Sequence, residues 1–130
     1  MKLSTDETNQ QGAEEGWYKP STQEIYVRPR DRRTMTKTLI HELAHHLDAG
    51  LKESDKTELE TVAEGTAYVV ATHYGLDCGE YSFKYIATWA GQEDGVKVLR
   101  RVMQRVQQNV RLLIAAVDAA LAARPLEAAA

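Results

Sequence analysis

The stretch Thr38-Leu39-Ile40-His41-Glu42-Leu43-Ala44-His45-His46 lies inside an apolar run over 35–47, and its reading decides how the rest of the chain is arranged. Met35, Leu39, Ile40, Leu43, Ala44 and Leu47 recur every three or four residues, the spacing of a helix with one apolar face. Residues four apart on a helix are neighbours, so His41 and His45 can turn an imidazole nitrogen toward the same metal ion. Glu42 projects beside that pair, where a carboxylate could take a proton from a water on the metal. A chain of this length matches the triplet by accident on the order of once in a few hundred cases, so the spacing alone is not decisive. A catalytic zinc also usually has three protein ligands and one open position. A third ligand has to come from elsewhere.

The adjoining sequence offers one. Gly50 is placed to end the first helix, Thr34 or Thr36 to cap its start, and a charged loop over 51–55 leads into a second helix over about 56–74, stopped by Gly75. A short connection makes the two helices an antiparallel pair. Glu60 then stands level with His45, and Glu64, one turn on, level with His41. Glu60 can serve as third ligand, with Glu64 accepting the outer N–H of a ligand histidine; the opposite assignment is also allowed by this geometry.

Around this pair the chain reads as α+β. Residues 16–28 form a β-hairpin, with Lys19-Pro20-Ser21-Thr22-Gln23 as turn and Ile25-Tyr26-Val27 in the second strand. A short helix is expected over 83–90, with aromatics that belong to the core, and a long one over 96–123. The long helix carries Leu99, Val102, Val106, Val110, Leu113, Val117 and Leu121 toward its neighbours and Arg100, Arg101, Arg105 and Arg111 on the opposite face. Residues 1–14, rich in polar side chains, read as a disordered tail, 15–124 as one domain, and 125–130 as a C-terminal tail.

Composition narrows the function. The 130 residues carry a net charge of −3, which gives no general attraction to nucleic acid or anionic lipid. Arg28, Arg30, Arg32 and Arg33 cluster, but a solvated loop explains them. Cys78 stands alone, so no intramolecular disulfide forms, which fits the cytoplasm. The N-terminal residues lack the apolar core of a signal peptide, and no membrane span is expected.

Several stretches resemble a known family. Gly16-Trp17-Tyr18-x-Pro20, the run from Thr38 to His46, and Glu60-Thr61-Val62-Ala63-Glu64-Gly65-Thr66-Ala67-Tyr68-Val69-Val70 look like the ImmA/IrrE zinc metallopeptidases. His73-Tyr74-Gly75-Leu76-Asp77 and Tyr81-Ser82-Phe83-x-Tyr85-Ile86-Ala87-Thr88-Trp89-Ala90 are similar to the metallopeptidase domain of ArdC-like antirestriction proteins within that group. The resemblance, over about residues 16 to 110, implies a minimal gluzincin (zincin-like) core. It implies one Zn2+ on His41, His45 and Glu60, the last from the Glu-x-x-Ala pattern. The N-terminal domain that ArdC-like proteins usually add, which resembles a single-stranded DNA binder, has no counterpart here, so direct nucleic-acid binding is not expected of this chain.

The expected activity is peptide-bond hydrolysis in a protein or peptide substrate, with Glu42 as general base and then acid. His73, Tyr68, Tyr74 or Tyr81 is expected to stabilise the transition state, and the strand over 24–27 to pair with an extended peptide. The competing expectations are a catalytically silent zinc-binding module that holds a protein partner and, more remotely, a nucleic-acid-associated regulator using Arg28 to Arg33.

Overall fold

The computed structural model describes residues 1–10, 12, 14–50, 55–76, 89, 92 and 94–124. Within them the fold is α+β: strands β1 (Lys2–Ser4), β2 (Gly16–Lys19) and β3 (Glu24–Val27), then helices α1 (Arg32–Leu47), α2 (Lys56–His73) and α3 (Gly95–Ala123). No described helix is long and apolar enough to cross a membrane.

The hairpin forms where the turn residues place it, with Gly16 opposite Val27 and Lys19 opposite Glu24. Gln23 closes the turn at φ 55°, a left-handed conformation that costs a non-glycine residue some strain. Its carbonyl accepts the Lys2 N–H at 3.0 Å, and from there β1 runs parallel to β3. This corrects two readings of the sequence. The start of the chain is not a loose tail: Asp6 caps a 3-10 turn over Glu7–Asn9, and the Tyr26 hydroxyl donates to Gln10 Oε1 at 3.5 Å. Nor is β3 an outer strand, since the sheet order is β1-β3-β2 and Ile25, Tyr26 and Val27 are buried. Pairing of β1 rests on backbone groups, which three residues with two exposed side chains, Lys2 and Leu3, do not advertise.

Helix α1 begins earlier than the threonines suggest. Asp31 is its cap, with Oδ2 accepting the Thr34 N–H at 3.1 Å and Oδ1 the Thr34 hydroxyl at 2.7 Å. The Thr36 hydroxyl donates instead to the Arg32 carbonyl. Asp48 rather than Gly50 ends the helix, and Asp55 caps α2 through the Glu58 N–H. Helix α2 folds back beside α1, the sheet covers another side of α1, and α3 packs along α2 and reaches α1. Val62, Trp89, Val102 and Val106 form the core between α2 and α3. Trp89 is thus a core aromatic; the rest of the helix expected over 83–90 lies outside the described residues. Past Leu113 the apolar stripe of α3 grows more exposed: Val117 is half-buried and Leu121 is 52% exposed.

Candidate metal centre

His41 and His45 project from one side of α1, their ring centroids 5.0 Å apart and their planes at 80°. Glu60 reaches them from the second turn of α2. Its Oε2 lies 3.1 Å from His41 Nε2 and its Oε1 3.3 Å from His45 Nε2. The three ligand atoms fall within 4.8 Å of one another, so these residues could hold a metal ion. Donor atoms of a tetrahedral zinc site, bonded at about 2.0–2.2 Å, stand about 3.3–3.6 Å from each other, and here each imidazole nitrogen meets a different oxygen of the one carboxylate at a comparable distance. Of the two acids the sequence offered, Glu60 is the one brought to both rings.

The charges respond to this arrangement. Hydrogen bonds from His41 and His45 hold the Glu60 carboxyl far below the usual carboxylate range, against the opposing effect of burial. Burial pushes His41 down, but the hydrogen bond to Glu60 and the charges of Glu42, Glu60 and Glu64 outweigh it, and its pKa is raised. Glu42 is buried beside the pair, and that burial raises its pKa against the pull of the two histidines. Glu64, half-buried one turn beyond Glu60, therefore sits within electrostatic reach of His41.

The hairpin closes the far side of Glu42. A Cβ on Gly16 would lie 2.5 Å from the Tyr26 carbonyl oxygen, 2.7 Å from Thr38 Cγ2 and 3.6 Å from Glu42 Cγ, so β2 comes this near to α1 only with glycine there. One turn further along α1, the Tyr18 hydroxyl meets His46 Nδ1 at 3.0 Å.

Of the expected transition-state stabilisers, the three that are described stand further along α2. His73 and Tyr74 stand at the end of α2, about 20 Å along its axis from Glu60. Their rings pack together, and the Tyr74 hydroxyl donates to Asp118 Oδ1 at 2.7 Å. Tyr68 is about 12 Å along the same axis and half-buried, and Tyr81 lies outside the described residues. Of the clustered arginines, Arg30 forks onto Glu15 at 3.0 and 3.1 Å, and Arg28 stands 3.9 Å from the same carboxylate.

Comparison with known proteins adds a distant relative. An uncharacterized protein of Bacillus anthracis, pXO2-81, is 36% identical over 96 residues, a match that covers 67% of this chain. The chain spans only 16% of that protein's length. No family model matches the chain, and no solved structure does.

One group was missed by the sequence. Arg105, placed on the outer face of the long helix by its row of arginines, is buried. Its Nε donates to Asp48 Oδ1 at 2.8 Å, its Nη2 to Asp48 Oδ2 at 2.5 Å and its Nη1 to Glu58 Oε2 at 3.3 Å. Arg101 also donates to Glu58, and the buried Asn109 Nδ2 donates to the Ala44 carbonyl at 3.3 Å and to Thr66 Oγ1 at 3.5 Å. The available signal was that Arg101, Arg105 and Asn109 recur at four and flank Val102 and Val106.

Proposed function

We propose that the chain is a zinc-dependent metallopeptidase that hydrolyses peptide bonds in a protein substrate. One observation carries this reading: two imidazoles four residues apart meet a carboxylate from the next helix, with a second, buried carboxylate beside them. Two nitrogens and one carboxylate oxygen are the donor set of a hydrolytic zinc site. The likeness of the motifs to the ImmA/IrrE metallopeptidases points the same way. Zinc held by His41, His45 and Glu60 would supply Lewis acidity to a water and to the scissile carbonyl.

Glu42 then moves the proton. It accepts one from the water as the water's oxygen bonds to the carbonyl carbon, and delivers it to the amine nitrogen as the carbon–nitrogen bond breaks. Burial raises its pKa, the direction that favours holding the proton until the amine takes it. Glu64 fits as the acceptor that fixes a ligand ring from outside.

The sheet suggests how a peptide is held. The Arg28 N–H donates to the Glu15 carbonyl at 2.7 Å, so Trp17 and Lys19 turn their backbone groups toward β3, while Gly16 and Tyr18 turn theirs outward. No other strand pairs on that edge among the described residues. An extended peptide added there would run beside the flank of α1 that carries Glu42. This replaces β3, whose second edge β1 occupies.

The test is Glu42→Gln. Metal analysis of the purified variant should find as much zinc as in the wild type, while cleavage of a peptide library falls by about 10²- to 10⁴-fold. Cleavage unchanged in the variant would overturn the peptidase reading.

A further inference from the structure

We infer that Arg105 is a positioning residue for the metal centre: by gripping Asp48 and Glu58 it sets the register of α1 against α2, and with it the distance from Glu60 to the two imidazoles. The inference rests on the metal reading of His41, His45 and Glu60, not on peptidase activity. Asp48 follows His45 by less than one helical turn, and Glu58 precedes Glu60 by two residues. The side chains of Asp48, Glu58 and Arg105 are 1%, 11% and 9% exposed, so the two acids face each other away from water with the guanidinium between them. Asn109, one turn along α3, holds the Ala44 carbonyl and Thr66. Helix α3 therefore fixes α1 on both sides of His45 and α2 on both sides of Glu60.

The chain leaving α1 is shaped around this grip. A Cβ on Gly50 would stand 2.6 Å from Arg105 Cζ and 2.7 Å from its Nε. Buried ion networks of this kind are often no more stabilising than apolar side chains of the same volume, so stability alone is a weak account of the clamp. Geometry is a better one, because the planar fork reaches two carboxylates at once, as a lysine ammonium on its flexible stem does not. Loss of a partner that orients a ligand typically weakens metal binding by about 10- to 100-fold.

Four variants of the full chain test this: Arg105→Lys, Arg105→Met, Gly50→Ala, and Arg105→Met combined with Asp48→Asn and Glu58→Gln. The triple variant removes the uncompensated acids and keeps the test open if Arg105→Met alone does not fold. Circular dichroism and urea unfolding of the metal-free proteins report folding; competition with a chromophoric chelator reports the zinc dissociation constant. The triple variant should unfold near the wild-type midpoint yet bind zinc at least about 10-fold more weakly. Arg105→Lys and Gly50→Ala should weaken zinc binding in the same direction. Wild-type zinc affinity in the folded triple variant and in Arg105→Lys would overturn the positioning role. Wild-type protein that binds zinc no better than His45→Ala would instead overturn the metal reading and this inference with it.

Discussion

Two clusters of charge sit within a turn of each other on the same pair of helices, and they are solved differently. At the loop end, Asp48 and Glu58 are neutralised by Arg105 and Arg101, cations that belong to the chain. Further in, Glu60 faces His41 and His45 among the described residues. A guanidinium stays charged under all ordinary conditions, so the first cluster is complete as it stands. An imidazole gives up its proton near neutrality, and then offers a lone pair where a positive charge was. The second cluster thus remains a place for a cation from outside. The difference lies in which partner the carboxylate has, not in the carboxylate itself.

The sharpest way to break this contrast is Glu60→Gln. It removes the acid from the open cluster and leaves the closed one untouched. Zinc affinity should fall by more than about 100-fold, the upper end of what losing an outer partner costs. Chelator competition measures it. An affinity within a few-fold of the wild type would mean that Glu60 is merely an ion-pair partner of the histidines.

How far the sequence showed this contrast follows from where each cluster gets its geometry. The open cluster was legible because it depends on two local rules. His41 and His45 share a face by helix periodicity, and Glu60 stands opposite because a short connection folds α2 back. The closed cluster depends on α3, whose contact with the joint of α1 and α2 is tertiary. A row of arginines reads as a solvated face until the acids that bury one of them are known. Strand β1 was hidden for another reason: backbone pairing to β3 leaves no pattern in Lys2, Leu3 and Ser4. Asp31 does not stand out as the cap in the sequence, because it lies within the arginine cluster and the nearby threonines have the same chemistry.

A second prediction uses pH to separate the clusters in the metal-free protein. Glu60 has a lowered pKa in the fold, so its stabilising effect is present above the unfolded carboxyl value of about 4.3 and is lost as pH falls below it. His41 has a raised pKa, so its effect is complete below the unfolded value of about 6.5 and is lost as pH rises through the folded value. The urea midpoint should therefore peak between those two values. Saturating zinc should remove the decline on the alkaline side, because the metal takes the place of the proton, and zinc affinity should rise with pH across the same range. In His41→Ala the alkaline decline of the metal-free protein should shrink to the part that buried Glu42 contributes, since its raised pKa has the same sign. A decline of unchanged size in that variant would assign it to another group.

The smallest effect is the most discriminating control. Asp31 caps α1 at its far end, about 15 Å along the axis from His41, and touches neither cluster. Asp31→Ala removes the bonds to the Thr34 N–H and hydroxyl and should lower the thermal midpoint on the order of 5 °C. Zinc affinity should not move, because fraying of the first turn of α1 leaves Ala44 and Asp48, on either side of His45, held from α3. That outcome, set beside weakened binding in the charge-compensated Arg105 variant of near-normal stability, would separate two quantities that most substitutions change together. If Asp31→Ala weakened zinc binding as much as the loss of the clamp, affinity would simply be following global stability, and the division of labour between the two clusters would fail.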